Sequence, residues 1–149
     1  MNICSGGVRT YIYAGRLDKG KGILKLLNEW TSLPDTYVLE VYGEGECAAE
    51  VQKIAAKYQN IHLNGFCPQK ELFDSLKSAV ALITPYIWYE GYPMNIAESF
   101  SMGVPVVSTS IGNAGDLVSK SGAGALFDFE VDGSFRKALD IVYAPRTKF

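Results

Sequence analysis

The sequence has few of the residues from which metal sites and disulfide frameworks are built. Its 149 residues include one histidine, His62, and three cysteines, Cys4, Cys47 and Cys67. The cysteines lie far apart in the chain, so no metal-knuckle spacing appears, and their odd number favours reduced thiols and a cytoplasmic location. We therefore expect no zinc site, and we interpret His62 as a hydrogen-bonded structural residue.

The sequence also lacks a charge excess and a long apolar run. The formal net charge is -2, and charged residues make up 20% of the chain. This balance provides no basic surface for nucleic acid or an anionic membrane. No apolar stretch approaches the roughly 20 residues of a membrane span. We expect no nucleic-acid or membrane contact from this chain, and any anion site has to be built from a few local cations.

Hydrophobic residues make up 48% of the chain, which is enough for the core of one domain. Short β-branched and apolar runs alternate with segments of helical period. The predicted strands are 10–14, 37–42, 61–63, 80–84, 104–108 and 125–127, and the predicted helices are 20–31, 46–58, 68–77, 93–102 and one closing helix through Phe135 and Val142. This alternation predicts a three-layer, Rossmann-like α/β domain with a parallel sheet of about six strands and an ordered core over 10–143.

Ligands of such sheets bind beyond the carboxyl ends of the strands. The segments to examine are therefore the loops 15–22, 43–46, 64–68, 85–93 and 109–115. We read 109–115 as a glycine-rich loop, and we expect Asp116 after it to cap the next helix.

Two of these loops contain incomplete nucleotide motifs. Residues 15–22, GRLDKGKG, resemble a phosphate-binding P-loop, but Gly22 stands where a magnesium-binding Ser or Thr is required. Residues 43–48, GEGECA, resemble a dinucleotide fingerprint, but no acidic ribose ligand follows about 20 residues later. Glu44 and Glu46 would also repel a pyrophosphate. We interpret this second segment as a tight strand-to-helix turn.

Arg16 and Lys21 share the loop after the first predicted strand. Five residues apart on a glycine-flexed loop, the two cations can converge on one diphosphate, which Arg binds with a planar fork and Lys as a mobile point charge. The alternative is a pair of solvated surface charges, balanced by Asp18. The position at the carboxyl end of a strand favours the diphosphate site.

The segment 85–103, PYIWYEGYPMNIAESFSMG, adds two carboxylates to this site. Glu98 has no cation three or four residues away in its helix, so an intrahelical salt bridge does not explain it, and ribose hydroxyls are suitable donors to it. Glu90 precedes Gly91, where backbone approaches a ligand closely. The helix start at 93–95 offers free amides to a phosphate. Together these features predict a nucleoside diphosphate sugar site in which protein cations, rather than a metal, neutralise the phosphates.

The ordered set of motifs resembles the C-terminal, donor-binding domain of retaining GT-B glycosyltransferases, specifically glycosyltransferase family 4 (glycosyl transferases group 1). The resemblance covers about 10–142 and rests on these matches: Gly15-Arg16-Leu17 with Lys21, Gly43-x-Gly45, Gly65-Phe66, Glu90 and Glu98 with seven residues between them, and Gly103-x-Pro105-Val106-Val107. It implies that this chain is one half of a GT-B fold.

The resemblance also implies roles for particular residues. Arg16 and Lys21 bind the diphosphate and assist departure of the nucleoside diphosphate, and Glu90 contacts the transferred sugar and helps stabilise an oxocarbenium-like transition state. Glu98 holds the ribose. The remaining donor contacts implied are Gly15, Phe66, Cys67, Leu72, Gly91, Met94, Asn95 and Ile96.

Family members have two domains, so the resemblance implies that an N-terminal acceptor domain of the same enzyme is the missing partner of this single 1–149 domain. It implies metal-independent transfer, with retention, from a UDP-sugar rather than a GDP- or ADP-sugar to a saccharide or lipid-linked acceptor in polysaccharide biosynthesis. Because proximity and water exclusion need both lobes, we expect the chain to be inactive alone.

Two alternatives remain open. A GT-B-like nucleotide-sugar epimerase would keep the diphosphate site but would use acid and base groups from both lobes. A non-catalytic flavodoxin-like interaction domain would place an acidic cluster or flavin loop after the first strand, where this chain has Arg16 and Lys21.

Overall fold

A computed structural model of the chain describes residues 8–87 and 94–143. The strands are β1 (Arg9–Ala14), β2 (Tyr37–Tyr42), β3 (Ile61–Gly65), β4 (Ala81–Thr84), β5 (Val106–Thr109) and β6 (Gly124–Phe127). The α-helices are α1 (Ile23–Trp30), α2 (Ala48–Lys57), α3 (Gln69–Ser78), α4 (Met94–Ser101), α5 (Gly112–Ser121) and α6 (Ser134–Tyr143), and a short 3-10 helix, Lys19–Lys21, precedes α1.

The strands form one parallel sheet in the order β3-β2-β1-β4-β5-β6. This confirms the predicted three-layer α/β fold. The order reverses between β1 and β4, so the carboxyl ends of these two strands border the crevice in which such folds bind ligands. A flavodoxin-like sheet would instead have β3 next to β1, and the observed order argues against that alternative.

The two faces of the sheet carry separate cores. Alternate residues of a strand point to opposite faces, and in β1 Tyr11 and Tyr13 enter one core cluster while Ile12 enters the other. The first cluster receives the apolar faces of α1, α2 and α6, and the second receives those of α3, α4 and α5. Helices cover both faces of the sheet, so the loops lie at the two ends of the strands.

The helix predicted over 20–31 divides into the 3-10 turn and α1. Gly22 separates the two with φ of 77°, a left-handed conformation that favours glycine. A side chain there would also collide with the loop after β4, because an added Cβ would lie 1.7 Å from the Pro85 carbonyl oxygen. Gly22 therefore allows the loops after β1 and β4 to touch.

The loop predicted over 109–115 is wrong in extent, and so is the capping role of Asp116. The helix α5 already begins at Gly112, and Asp116 lies inside it. Gly115 is there for close packing rather than for a turn, since an added Cβ would lie 2.7 Å from backbone carbons of Ser110. In the sequence, a glycine that allows close helix packing has the same signal as a glycine that interrupts a helix.

None of the helices in 8–87 and 94–143 is long and apolar enough to cross a lipid bilayer.

Candidate functional site

The loops after β1 and β2 are fastened together at the carboxyl edge of the sheet. The Gly15 amide donates to the Tyr42 carbonyl at 3.0 Å, the Leu17 amide to Glu44 at 3.0 Å, and the Cys47 amide to Leu17 at 2.8 Å. Gly43 permits this contact, because an added Cβ would lie 1.8 Å from the Gly15 carbonyl oxygen. The loop that carries Arg16 is therefore held on a rigid support.

The GEGECA segment is a tight turn, as predicted. One of its backbone amides, that of Glu46, already donates to a carboxylate of the same protein. The Glu46 amide donates to Asp18 Oδ1 at 3.2 Å, and Asp18 lies so close to Gly45 that an added Cβ would be 2.5 Å from the same oxygen. The Glu46 amide, together with Arg16, holds the pKa of the Asp18 carboxyl below its usual range. A pyrophosphate at this turn would meet a carboxylate, so the turn is not a dinucleotide site.

Arg16 lies at the solvent-facing side of this loop. Its side chain is 64% exposed, and its Nε donates to Asp18 Oδ2 at 3.2 Å. Asp18 therefore balances the charge of Arg16, as in the alternative considered from the sequence. Exposed ion pairs of this kind are weak, so an incoming diphosphate can compete for the guanidinium.

Lys21 faces the loop after β4. Its Nζ lies 5.1 Å from the centroid of the buried Tyr86 ring, a cation–π arrangement. The Tyr86 carbonyl accepts a hydrogen bond from Thr109 Oγ1 at 2.8 Å, and the Ile87 amide donates to the Gly20 carbonyl at 3.2 Å. These contacts join the cation loop to β4 and β5 at the point where the strand order reverses. The sequence showed Lys21 but gave no signal for the Tyr86 contact.

An open cleft of about 340 Å³ runs between the loops after β1, β2 and β3. Its lining residues are Gly15, Arg16, Tyr42, Gly43, Glu44, Phe66 and Cys67. Phe66 lines this cleft with a ring that is 73% exposed. The structure therefore brings together four of the sequence-predicted donor contacts: Gly15, Arg16, Phe66 and Cys67.

Glu98 lies on α4 and contacts the start of α3. Its Oε2 accepts a hydrogen bond from Gln69 Nε2 at 3.4 Å, and Gln69 follows Cys67 of the cleft by two residues. Gln69 belongs to a different helix from Glu98, so the spacing of residues within α4 does not reveal this partner. An exposed amide contact of this length leaves the carboxylate able to accept stronger donors.

The remaining predicted residues have different surroundings. The Ile96 side chain is fully buried in the second core, so Ile96 could offer a ligand only its backbone. Leu72 packs against the same core. Met94 and Asn95 form the first turn of α4. Glu90 and Gly91 lie outside the described residues.

His62 is a structural residue, as predicted. Its Nδ1 lies 2.7 Å from Glu40 Oε2, and its Nε2 lies 2.9 Å from the Gln59 carbonyl oxygen. Because both partners accept hydrogen bonds, they favour the doubly protonated ring. The Glu40 contact raises the pKa of His62 above its usual value. In the described part of the chain, no group of three or more His, Cys, Asp or Glu residues is arranged to hold a metal ion.

The family model described as glycosyl transferases group 1 matches residues 8–144 of this chain. The chain belongs to this family. It is 29% identical over 113 residues to a putative teichuronic acid biosynthesis glycosyltransferase, TuaC, of Bacillus subtilis strain 168, a match that covers 75% of this chain and 27% of that protein. The chain thus spans about a quarter of the length of the curated relatives it matches.

Solved structures show the same fold. The apo form of the lipopolysaccharide outer core galactosyltransferase WaaB superposes with a TM-score of 0.79 at 20% identity, over 93% of this chain and 41% of that one. The Anabaena protein HepE in complex with UDP-glucose superposes with a TM-score of 0.75 at 18% identity, over 95% of this chain and 40% of that one. The chain therefore shares the α/β fold of about two fifths of each of these solved chains.

Proposed function

We propose that this chain is the C-terminal, donor-binding domain of a retaining GT-B glycosyltransferase of family 4. The observation that supports this most strongly is the placement of the Arg16 and Lys21 loop. It lies where the strand order reverses, it is fastened to the loops after β2 and β4, and it borders a cleft that ends at the exposed Phe66. This arrangement suits a ligand with a diphosphate at one end and a planar base at the other.

Each part of the cleft suits one part of a nucleoside diphosphate sugar. Arg16 and Lys21 bind the two phosphates and stabilise the charge that develops as the nucleoside diphosphate departs. Phe66 provides an apolar surface against which the base stacks. Glu98 exchanges Gln69 for the ribose hydroxyls, which are donors that a carboxylate binds more strongly. Glu90 contacts the transferred sugar, an assignment that rests on the family resemblance.

We propose a UDP-sugar as the donor and no requirement for a metal. Solved structures of similar fold contain UDP and UDP-glucose, which supports uracil as the base. Two cations and the amides at the start of α4 compensate the diphosphate charge, which is the task a magnesium ion performs in other enzymes.

The complete reaction needs more protein than this chain. We propose that an N-terminal domain of the same enzyme binds a saccharide or lipid-linked acceptor, and that this chain alone binds donor without transferring sugar, because only two lobes together exclude water from the reacting centre. The relative named for teichuronic acid biosynthesis supports a role in polysaccharide biosynthesis. We propose a cytoplasmic location, because the odd number of cysteines favours reduced thiols.

Calorimetric titration with UDP, GDP, ADP and pyrophosphate tests this proposal. UDP is expected to bind most tightly of the nucleotides, and EDTA is expected to change none of the affinities. Glu98→Ala should weaken UDP about tenfold, because charge-assisted hydrogen bonds to the ribose are lost, and should leave pyrophosphate unchanged.

Glu50→Ala is the matched control for Glu98→Ala, since it removes an exposed carboxylate from the first turn of α2. It should change neither affinity. Absence of binding by all four ligands would disprove the proposal, and equal loss of UDP and pyrophosphate in Glu98→Ala would remove Glu98 from the ribose site.

A further inference from the structure

Two buried tyrosines on β1 make the same kind of hydrogen bond to different parts of the protein. Tyr11 and Tyr13 point to the same face of the sheet and are at most 1% exposed. The Tyr11 hydroxyl donates to the Leu139 carbonyl of α6 at 3.0 Å. The Tyr13 hydroxyl donates to the Arg16 carbonyl. One bond fixes a helix, and the other fixes the loop that carries the first cation.

We propose that Tyr13 is a positioning residue for Arg16, an inference that rests on the proposed diphosphate site. The backbone of this loop is held at Gly15 by Tyr42 and at Leu17 by Glu44 and Cys47. Tyr13 supplies the corresponding hold on the carbonyl of Arg16 itself. With all three residues fixed, the Arg16 side chain starts from one defined direction.

The hydroxyl, rather than the ring, is what this function needs. The ring fills the first core cluster, and phenylalanine would fill it equally well. The Arg16 side chain is 64% exposed and its contact with Asp18 is weak, so the fixed backbone defines the Cα–Cβ direction from which the guanidinium reaches a phosphate. Bidentate binding of a phosphate requires the guanidinium to be aligned, and alignment before binding reduces the entropy lost on binding.

Tyr13→Phe, with Tyr11→Phe as its matched control, tests the inference. Both variants remove a buried hydroxyl that donates to a backbone carbonyl, so both are expected to lower the melting temperature by similar amounts. Pyrophosphate affinity, measured by calorimetry, should fall about three- to tenfold in Tyr13→Phe and remain at the wild-type value in Tyr11→Phe. A purely structural role for Tyr13 would give the two variants the same affinity.

A double-mutant cycle with Arg16→Met identifies the residue through which Tyr13 acts. In the Arg16→Met background, Tyr13→Phe is expected to change pyrophosphate affinity by less than about twofold. An undiminished loss in that background would overturn the inference.

The controls also separate this inference from the proposed function. If wild-type protein binds pyrophosphate and Tyr13→Phe binds it equally well, only the role of Tyr13 is disproved. If wild-type protein binds neither UDP nor pyrophosphate, the diphosphate site and the role of Tyr13 are disproved together.

Discussion

The two ends of β1 carry arginines in opposite situations. At the amino end, Arg9 Nη1 lies 2.8 Å from Asp140 and 3.1 Å from the Tyr37 hydroxyl, and its guanidinium lies 4.0 Å from the centroid of the Tyr143 ring. At the carboxyl end, Arg16 is 64% exposed and contacts the neighbouring Asp18. Arg9 fastens α6 to the sheet, whereas Arg16 is displayed to solvent on a rigid loop.

This difference follows from the direction of a parallel sheet. Each helix runs antiparallel to the strands, so its carboxyl end lies at the amino edge of the sheet. Arg9, at the amino end of β1, therefore contacts the carboxyl end of α6. At the carboxyl edge the chain has left the strand and has not yet entered a helix, and backbone amides and side chains face outward. We therefore expect changes at the amino end of β1 to affect mainly stability and changes at its carboxyl end to affect mainly ligand binding.

The largest effect is expected from Arg16→Met with Lys21→Met. Loss of both cations should lower pyrophosphate affinity by about 100-fold, because each charged contact contributes roughly a factor of ten, and should change the melting temperature by less than about 2 °C. Lys53→Met with Lys57→Met removes the same charge from exposed positions on α2 and should leave affinity nearly unchanged. Full affinity after neutralisation of Arg16 and Lys21 would contradict the diphosphate assignment.

Arg9→Met should give the opposite result at the other end of the strand. It breaks a part-buried charge network, and the expected loss of about 2 kcal/mol corresponds to roughly 4–8 °C in melting temperature for a domain of this size. Pyrophosphate affinity should be that of the wild type. The check is calorimetric melting. If Arg9→Met melts at the wild-type temperature, the Asp140 contact contributes nothing and the two arginines do not differ in the way proposed.

Cys67 allows the occupied cleft to be detected directly. It lines the cleft beside Phe66, and desolvation, assisted by the charge of Glu71, raises the pKa of its thiol. Alkylation should therefore be slow at neutral pH and faster as the pH rises toward the thiol pKa. At a fixed alkaline pH, saturating UDP should slow Cys67 alkylation about fivefold, as measured by peptide mass spectrometry. Unchanged alkylation with bound UDP would place the nucleotide elsewhere.

The smallest effect is expected at His62, on β3 and remote from the cation loop. Its folded-state pKa is raised by Glu40, so its contribution to stability is present below its unfolded pKa of about 6.5 and is lost as the pH rises through the folded-state value. The melting temperature of His62→Gln should fall below that of the wild type by on the order of 2 °C at pH 5.5 and by less at pH 8.5. An equal gap at both pH values would contradict this assignment.

The sequence predicted the elements of the fold because its signals are local. Apolar runs such as 80–84 and the helical spacing of Leu26, Leu27 and Trp30 depend only on neighbouring residues. Bounds moved by one to three residues where tertiary contacts decide them, as at Gly22. The helical position of Gly115 could not be predicted, because its close packing against Ser110 depends on tertiary structure.

The candidate site was predictable in its charges but not in its supports. Arg16 and Lys21 were predictable because two cations follow the carboxyl end of a strand. Glu98 was predictable because its helix offers it no cation three or four residues away. The groups that hold them were not found: the Tyr13 hydroxyl, the Tyr86 ring and the Gln69 amide. Tyr86 and Gln69 belong to a different loop or helix from the residue each contacts. Tyr13 is a buried strand residue, which in the sequence resembles any other core side chain.

A crystal structure of the chain with UDP is the most direct test of the central claim. We predict that the diphosphate lies between the loops after β1 and β4, with phosphate oxygens about 3 Å from the Arg16 guanidinium and the Lys21 ammonium. We also predict that the uracil stacks on Phe66 and that the ribose contacts Glu98. A diphosphate bound instead at the turn after β2, beside Glu44 and Glu46, would contradict it.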